Sequence, residues 1–132
     1  MPQENVEVAL RGIEVFNRHD AEALQAMCAP DVAWVPLRAA LEGTSYRGPD
    51  AVSRMFADFD ESWESLRFDP DEIREARDCV LVTGRLRATG RATGVNLDTP
   101  MSVVMRFREG RVVSFRTYTD AGEARAAAGV AE

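Results

Sequence analysis

The sequence predicts a single α+β domain: a strongly curved antiparallel sheet packed against three helices, with a short helix closing the chain. Two observations carry this. Apolar residues recur at helical spacing through the first half, up to Trp63, and then give way to strand patterning. The strand candidate from Cys79 to Arg91 is thirteen residues long, roughly 43 Å at ~3.3 Å per residue. That is too long to lie flat in a domain of 132 residues, so the strands must bend. With 45% hydrophobic and 29% charged residues, the chain has enough apolar material for one core.

Taken in order, Pro2 suits a helix start, with Glu4 and Glu7 near the positive end of the dipole. Val6, Leu10, Ile13 and Phe16 follow at helical spacing as far as Arg18. A break at His19 precedes Asp20, an N-cap for a short second helix carrying Leu24 and Met27, which Pro30 is expected to end. Asp31 to Val35 reads as a short strand closed by Pro36, because proline cannot donate to a ladder. A polar, glycine-containing loop covers Leu37 to Gly48. Pro49 opens the clearest helix. Its stripe of Val52, Met55, Phe56, Phe59 and Trp63, with Leu66 as an optional last member, is expected to serve as both core and cavity wall.

Leu66 to Arg77 is a charged, partly exposed strand candidate, while Cys79 to Arg91 and Val95 to Arg108 are strong ones. Glu109-Gly110 marks a tight hairpin turn into the last strand, Arg111 to Thr119. Asp120 with Glu123 has the spacing of a capping box for a final helix ending near Gly129. Gly84 and Gly90 are places where the long strands can bend. A sheet bent in this way around helices leaves a hollow between them.

Composition excludes several functions. A net charge of −6 leaves no basic face for phosphate backbones, so no nucleic-acid partner is expected. No apolar run approaches the ~20 residues of a membrane span. The first eleven residues carry early acids, unlike a signal peptide, and a cytoplasmic location is expected. Cys28 and Cys79 lack CxxC spacing and read as buried thiols. His19 is the sole histidine, so a metal site would lack ligands, and no cofactor is expected.

The helix broken at "NRHD", followed by "APDVAW", by "EGTSYRGPDAV" leading into the long helix, and by "FREGRVVSFRTYTD" before an alanine-rich helix, resembles SnoaL-like and ketosteroid isomerase-like domains of the nuclear transport factor 2-like superfamily. The order and spacing of these pieces carry the resemblance, which covers nearly the whole chain. It implies a cone-shaped (cystatin-like) half-barrel, often dimeric, with a pocket in the cone. The family includes isomerases, polyketide cyclases, epoxide hydrolase-like enzymes, dehydratases and non-catalytic binding domains, and fold alone does not choose among them.

The isomerase-like members' general base falls on Pro36, or on Val35 with a one-residue slip. Their oxyanion tyrosine falls on Gly12 and their second carboxyl near Val103. None of these can act as base or donor, so isomerase activity is not expected. The epoxide hydrolase-like positions fall near Gly84, Leu86 and Thr117, which carry neither arginine nor carboxylate.

The inward strand face reads Val82, Gly84, Leu86, Met101, Val103, Met105, Phe115 and Thr117, almost wholly apolar. The opposite face carries Thr83, Arg85, Arg87, Thr89, Arg106 and Arg108. It reads as a solvated surface or a partner interface, and a one-residue slip at Gly84 would exchange the two faces. Trp34, Tyr46, Phe59 and Trp63 could add an aromatic wall, with plain core as the competing reading. Tyr46 lies in the loop at the cavity mouth, and its hydroxyl needs a partner. Glu42 and Arg38 in that loop read as solvated or ion-paired, and Asp58, Asp60, Glu61 and Glu64 as a solvated helix face.

The pocket candidates are therefore Trp34, Tyr46, Met55, Phe59, Trp63, Val82, Leu86, Val103, Met105, Phe115 and Thr117, with no catalytic residue assigned. The expected function is binding of a hydrophobic or polycyclic metabolite, with a weak isomerase-, cyclase- or hydrolase-type activity left open. The alternative is a non-enzymatic homodimeric association domain whose cavity is only a packing defect. A homodimer is expected through the outer sheet face, where Val104 and Val112 stand among polar residues.

Overall fold

Helix α1 (Pro2–Asn17) buries Ala9, Ile13 and Phe16 on one side, while Leu10 of the expected stripe is exposed. The computed structural model describes residues 2–130. The helix breaks at His19, whose φ of 57° is left-handed. Asp20 then caps α2 (Ala21–Ala26) by accepting from Ala23 N at 3.1 Å. Strand β1 (Cys28–Val35) begins before Pro30, so that proline does not end the helix but lies inside a strand. Pairing of β1 is irregular between Cys28 and Ala33, and a residue without an N–H is tolerated at such a bulge.

The expected loop from 37 to 48 instead holds α3 (Leu37–Glu42), closed by Gly43 at φ 73°, and the two-residue strand β2 (Tyr46–Arg47). Helix α4 (Ala51–Ser62) stops one residue short of Trp63, which leads strand β3 (Trp63–Glu75). Leu66 is therefore a strand residue, buried in the core, and not the end of the helical stripe.

Strands β4 (Cys79–Gly90), β5 (Asn96–Arg108) and β6 (Arg111–Tyr118) complete a sheet in the order β2-β1-β6-β5-β4-β3. From β3 to β6 the pairing is antiparallel, but β1 runs parallel to β6, so the sheet is mixed rather than antiparallel throughout. Glu109 and Gly110, both at positive φ, make the two-residue turn before β6. Asp120 caps α5 (Ala121–Ala128) through Gly122 N and Glu123 N, and Gly129 ends it at φ 73°. No helix among the described residues is long and apolar enough to cross a membrane.

Register is continuous between β4 and β5: Val82 faces Val103, and Gly84 faces Met101. The irregularity signalled by Gly84 lies next door, in β3, between Pro70 and Glu72. A Cβ on Gly84 would sit 2.1 Å from Asp69 O, so only glycine lets the β3 backbone fold in at that point. The arginines consequently stay outside. Arg85 pairs with Asp98 at 2.6 Å and Arg87 with Asp69 at 2.6 Å. Burial works to raise the Asp69 carboxyl, but Arg67 and Arg87 prevail and hold it below the usual range. These exposed pairs fix side-chain positions more than they stabilise the fold.

Two residues expected on the outer face are covered. Val104 lies under α5 with Cys79, Leu81, Ala124 and Ala128. Val112 turns into the main core, because the β5–β6 register shifts between Arg106 and Phe107.

The "NRHD" break closes the open edge of β3. Asn17 Nδ2 donates to Phe68 O at 2.8 Å, and Asn17 Oδ1 accepts from Phe68 N at 2.9 Å. His19 Nε2 donates to Leu66 O at 2.9 Å while its ring stacks on Phe56. An edge strand otherwise presents unpaired amides. Asn17→Ala is expected to reduce unfolding free energy by about 2 kcal/mol in urea titrations, since it strands two part-buried groups. A loss below about 0.5 kcal/mol, the scale of ordinary surface substitutions, would show that this edge is held by something else.

Candidate binding site

Bending of the sheet leaves a cavity of about 280 Å³ between its inner face and the helices. β1 contributes Trp34, which stacks on Phe115 of β6 with ring centroids 4.2 Å apart. Phe59 comes from α4. Trp63 comes from the point where that helix turns into β3, a junction held by Arg91, which donates to Asp60 O and Trp63 O. Leu86, Met105, Phe115 and Thr117 line the sheet side.

Seven of the eleven residues expected from the sequence thus line one space: Trp34, Phe59, Trp63, Leu86, Met105, Phe115 and Thr117. Val82 and Val103 lie on the same sheet face and Met55 on α4, and all three are fully buried in the core and do not line the cavity. Tyr46 is not in the cavity either. It lines a second hollow of about 340 Å³ beside it.

α3 supplies three wall residues that the loop reading missed: Leu37, Arg38 and Leu41. Leu41 stands at the rim with 74% of its surface exposed. A signal for this helix existed in "LRAALE", six good helix formers between Pro36 and Gly43.

No carboxylate lines the inner cavity among the described residues, and its polar members are Arg38, Ser62 and Thr117. Arg38 is engaged at the rim, where its Nε meets Glu42 Oε2 at 3.1 Å. Thr117 is different. It is 2% exposed, and its hydroxyl has no hydrogen-bond partner among the described groups. Leaving such a group unpaired costs about 1–3 kcal/mol. The other unpaired polar atom, Trp34 Nε1, sits beside Cys28, which is not part of the cavity wall. Burial pushes the Cys28 thiol up, and the thiol donates to Leu24 O at 3.3 Å.

The second hollow shares Pro36, Arg38, Phe59, Ser62 and Trp63 with the first, so the two adjoin across these side chains. Its remaining walls are mostly polar, with Glu42, Thr44, Tyr46, Asp58 and Glu61. Tyr46 donates its hydroxyl proton to Asp58 Oδ2. Burial and the neighbouring Asp58 carboxylate push the phenol up to about 12, so it stays protonated at neutral pH. Its proton is therefore committed at the mouth, not directed into the cone.

A family model for the SnoaL-like domain matches residues 9–115. Among solved structures, a nuclear transport factor 2-like protein of unknown function from Burkholderia pseudomallei is 28% identical, with a TM-score of 0.78 over 93% of this chain and 95% of that one. A nuclear transport factor 2-like protein from Burkholderia thailandensis is also 28% identical, with a TM-score of 0.76 over 95% and 96%. TerC, co-crystallized with polyporic acid, shares the fold at 22% identity and a TM-score of 0.77 over 91% and 94%. No curated protein matches the sequence.

Proposed function

The chain belongs to the SnoaL-like domain family, and from that premise we propose that it binds a small, largely apolar molecule inside the cone. The observation that carries the proposal is the cavity itself, whose wall is apolar apart from Arg38, Ser62 and Thr117. A charged body would lose its hydration there without meeting a counter-charge. At about 280 Å³ the space falls just under the ~300–1,000 Å³ of drug-sized sites. That size suits a compact cage or one or two fused rings better than an extended polycycle.

Binding, rather than turnover, is the function supported. Pro36 and Gly12 stand where related isomerases place base and donor, and both line the cavity without being able to supply either.

Burying ~200 Å² of apolar surface stabilises a complex by about 5 kcal/mol before ordering costs. Micromolar affinity requires ~8 kcal/mol, so dissociation constants nearer millimolar are expected for generic ring compounds. The Thr117 hydroxyl provides the test. Thr117→Val should weaken binding of adamantanone, whose carbonyl can accept from Thr117 Oγ1, by about fivefold, and leave adamantane unchanged. Equal calorimetric affinities for the ketone on both proteins would show that Thr117 does not contact the ligand.

We also infer a homodimer, which the family resemblance supports. Because Val104 and Val112 are covered, such a pairing would use the charged and polar remainder of the outer face. Light scattering at micromolar concentration should return twice the chain mass, and a single-chain mass overturns the inference.

A further inference from the structure

Helix α3 forms part of the cavity wall, yet little ties it to the rest of the molecule. It has six residues, fewer than the ~12 an isolated helix needs in water, so packing must keep it formed. That packing is thin: Ala39 is the residue it buries, and Leu37 rests against the core from the cavity side. Among the described residues, the hydrogen bonds of residues 37–44 close within 36–44. Ala40 N donates to Pro36 O at 2.8 Å, Thr44 N to Ala39 O at 2.9 Å and Arg38 Nε to Glu42 Oε2 at 3.1 Å. No side chain caps the helix at Pro36. At its other end Gly43, at φ 73°, makes a left-handed joint, and nothing lies within 4 Å of where a side chain would stand. Leu41 lines the cavity and still keeps 74% of its surface in water. Phe59 and Trp63, on the α4 side of the mouth, are only half-buried. The outer hollow of about 340 Å³ lies between the two helices, lined by Arg38, Ala39 and Glu42 of α3 and by Asp58, Phe59 and Glu61 of α4. α3 therefore has both loose ends and room to move.

We propose that α3 is a lid over the cone. With an apolar molecule inside, the helix turns on Pro36 and Gly43 into the outer hollow, toward the end of α4. Leu41 then covers the bound molecule and meets Phe59 and Trp63 across the mouth. This rests on the reading of the cone as a binding site and adds how that site closes. Leu41 gains by leaving water only when a ligand offers apolar surface beneath it, so the free protein keeps the lid open.

The test is hydrogen exchange of the full chain, read by mass spectrometry with and without adamantanemethanol, while tryptophan emission reports occupancy. At several times the dissociation constant, amides of residues 37–44 should exchange about fivefold more slowly, because opening then requires the ligand to leave. The exposed turn at Glu109 and Gly110, which lines neither hollow, should exchange as before. Leu41→Ala tests the covering contact itself. It should weaken adamantanemethanol binding about fivefold, the scale of covering part of a leucine side chain. The denaturant midpoint of the free variant should stay where it was, because Leu41 is exposed there. Three results overturn the lid alone while emission still saturates: exchange in 37–44 that slows no more than at the turn, undiminished affinity in Leu41→Ala, or a lowered midpoint, which would show Leu41 already packed. If adamantanemethanol changes neither emission nor exchange, the lid falls together with the reading beneath it.

Discussion

Replacing Leu86 with tryptophan is expected to abolish binding of ring compounds in the cone while the protein remains folded. Leu86 projects from β4 into the cavity, so an indole at this position would occupy space that the wild type leaves open. Forcing extra atoms into a packed core costs about 1–3 kcal/mol, but here a hollow of about 280 Å³ receives them. The thermal midpoint should therefore fall little, while affinity for adamantanemethanol drops tenfold or more, a change of at least ~1.4 kcal/mol. Undiminished binding to the variant would place the ligand elsewhere on the molecule. The same variant separates the two functional readings, because a domain that serves only for association would not respond to filling of its interior.

Gly84→Ala should have the largest effect on stability of any single-methyl change. The added carbon would lie 2.1 Å from Asp69 O and 2.9 Å from Pro70 Cα, and these are backbone atoms that no rotamer change can move. β3 would have to lift from β4 at its bulge, loosening Leu66 and Phe68 in the cavity wall. A loss of about 3 kcal/mol, the upper range for overpacking, is expected in denaturant unfolding. A loss under about 0.5 kcal/mol would mean that β3 can straighten freely and that the cavity does not depend on this bend.

The sequence made the inward faces of β4 and β5 legible. Alternation of Val82, Gly84 and Leu86 with Thr83, Arg85 and Arg87 identified the buried side of β4, because a half-buried strand has a period of two. It did not reveal depth. Val82 and Leu86 share a face, yet Val82 is sealed in the core and Leu86 lines the cavity, a difference of depth that alternation does not encode. Gly84 was readable as a disturbance, but the bulge it permits belongs to the neighbouring strand. Short local signals such as Glu109-Gly110 and Asp120 were legible because turn and cap chemistry is confined to a few residues.

What stayed hidden was short or long-range. Helix α3 has six residues, fewer than two turns, too few for periodicity to show. The contact between Tyr46 and Asp58 joins a two-residue strand to the middle of a helix, and no spacing rule anticipates it. The double hydrogen bond from Asn17 to Phe68 spans 51 residues. The parallel pairing of β1 with β6 is likewise a matter of chain path, to which hydrophobic alternation is blind.

The chain contains two tryptophans, and both Trp34 and Trp63 line the cavity, so tryptophan emission reports on the cone with no tryptophan elsewhere. Titration of the unmodified protein with neutral, non-fluorescent adamantanemethanol tests the account most directly. A saturable change in tryptophan emission at or below roughly millimolar concentration is the predicted result, in line with ~4 kcal/mol of net binding free energy. No change at millimolar concentration, or a response to charged compounds alone, would contradict it.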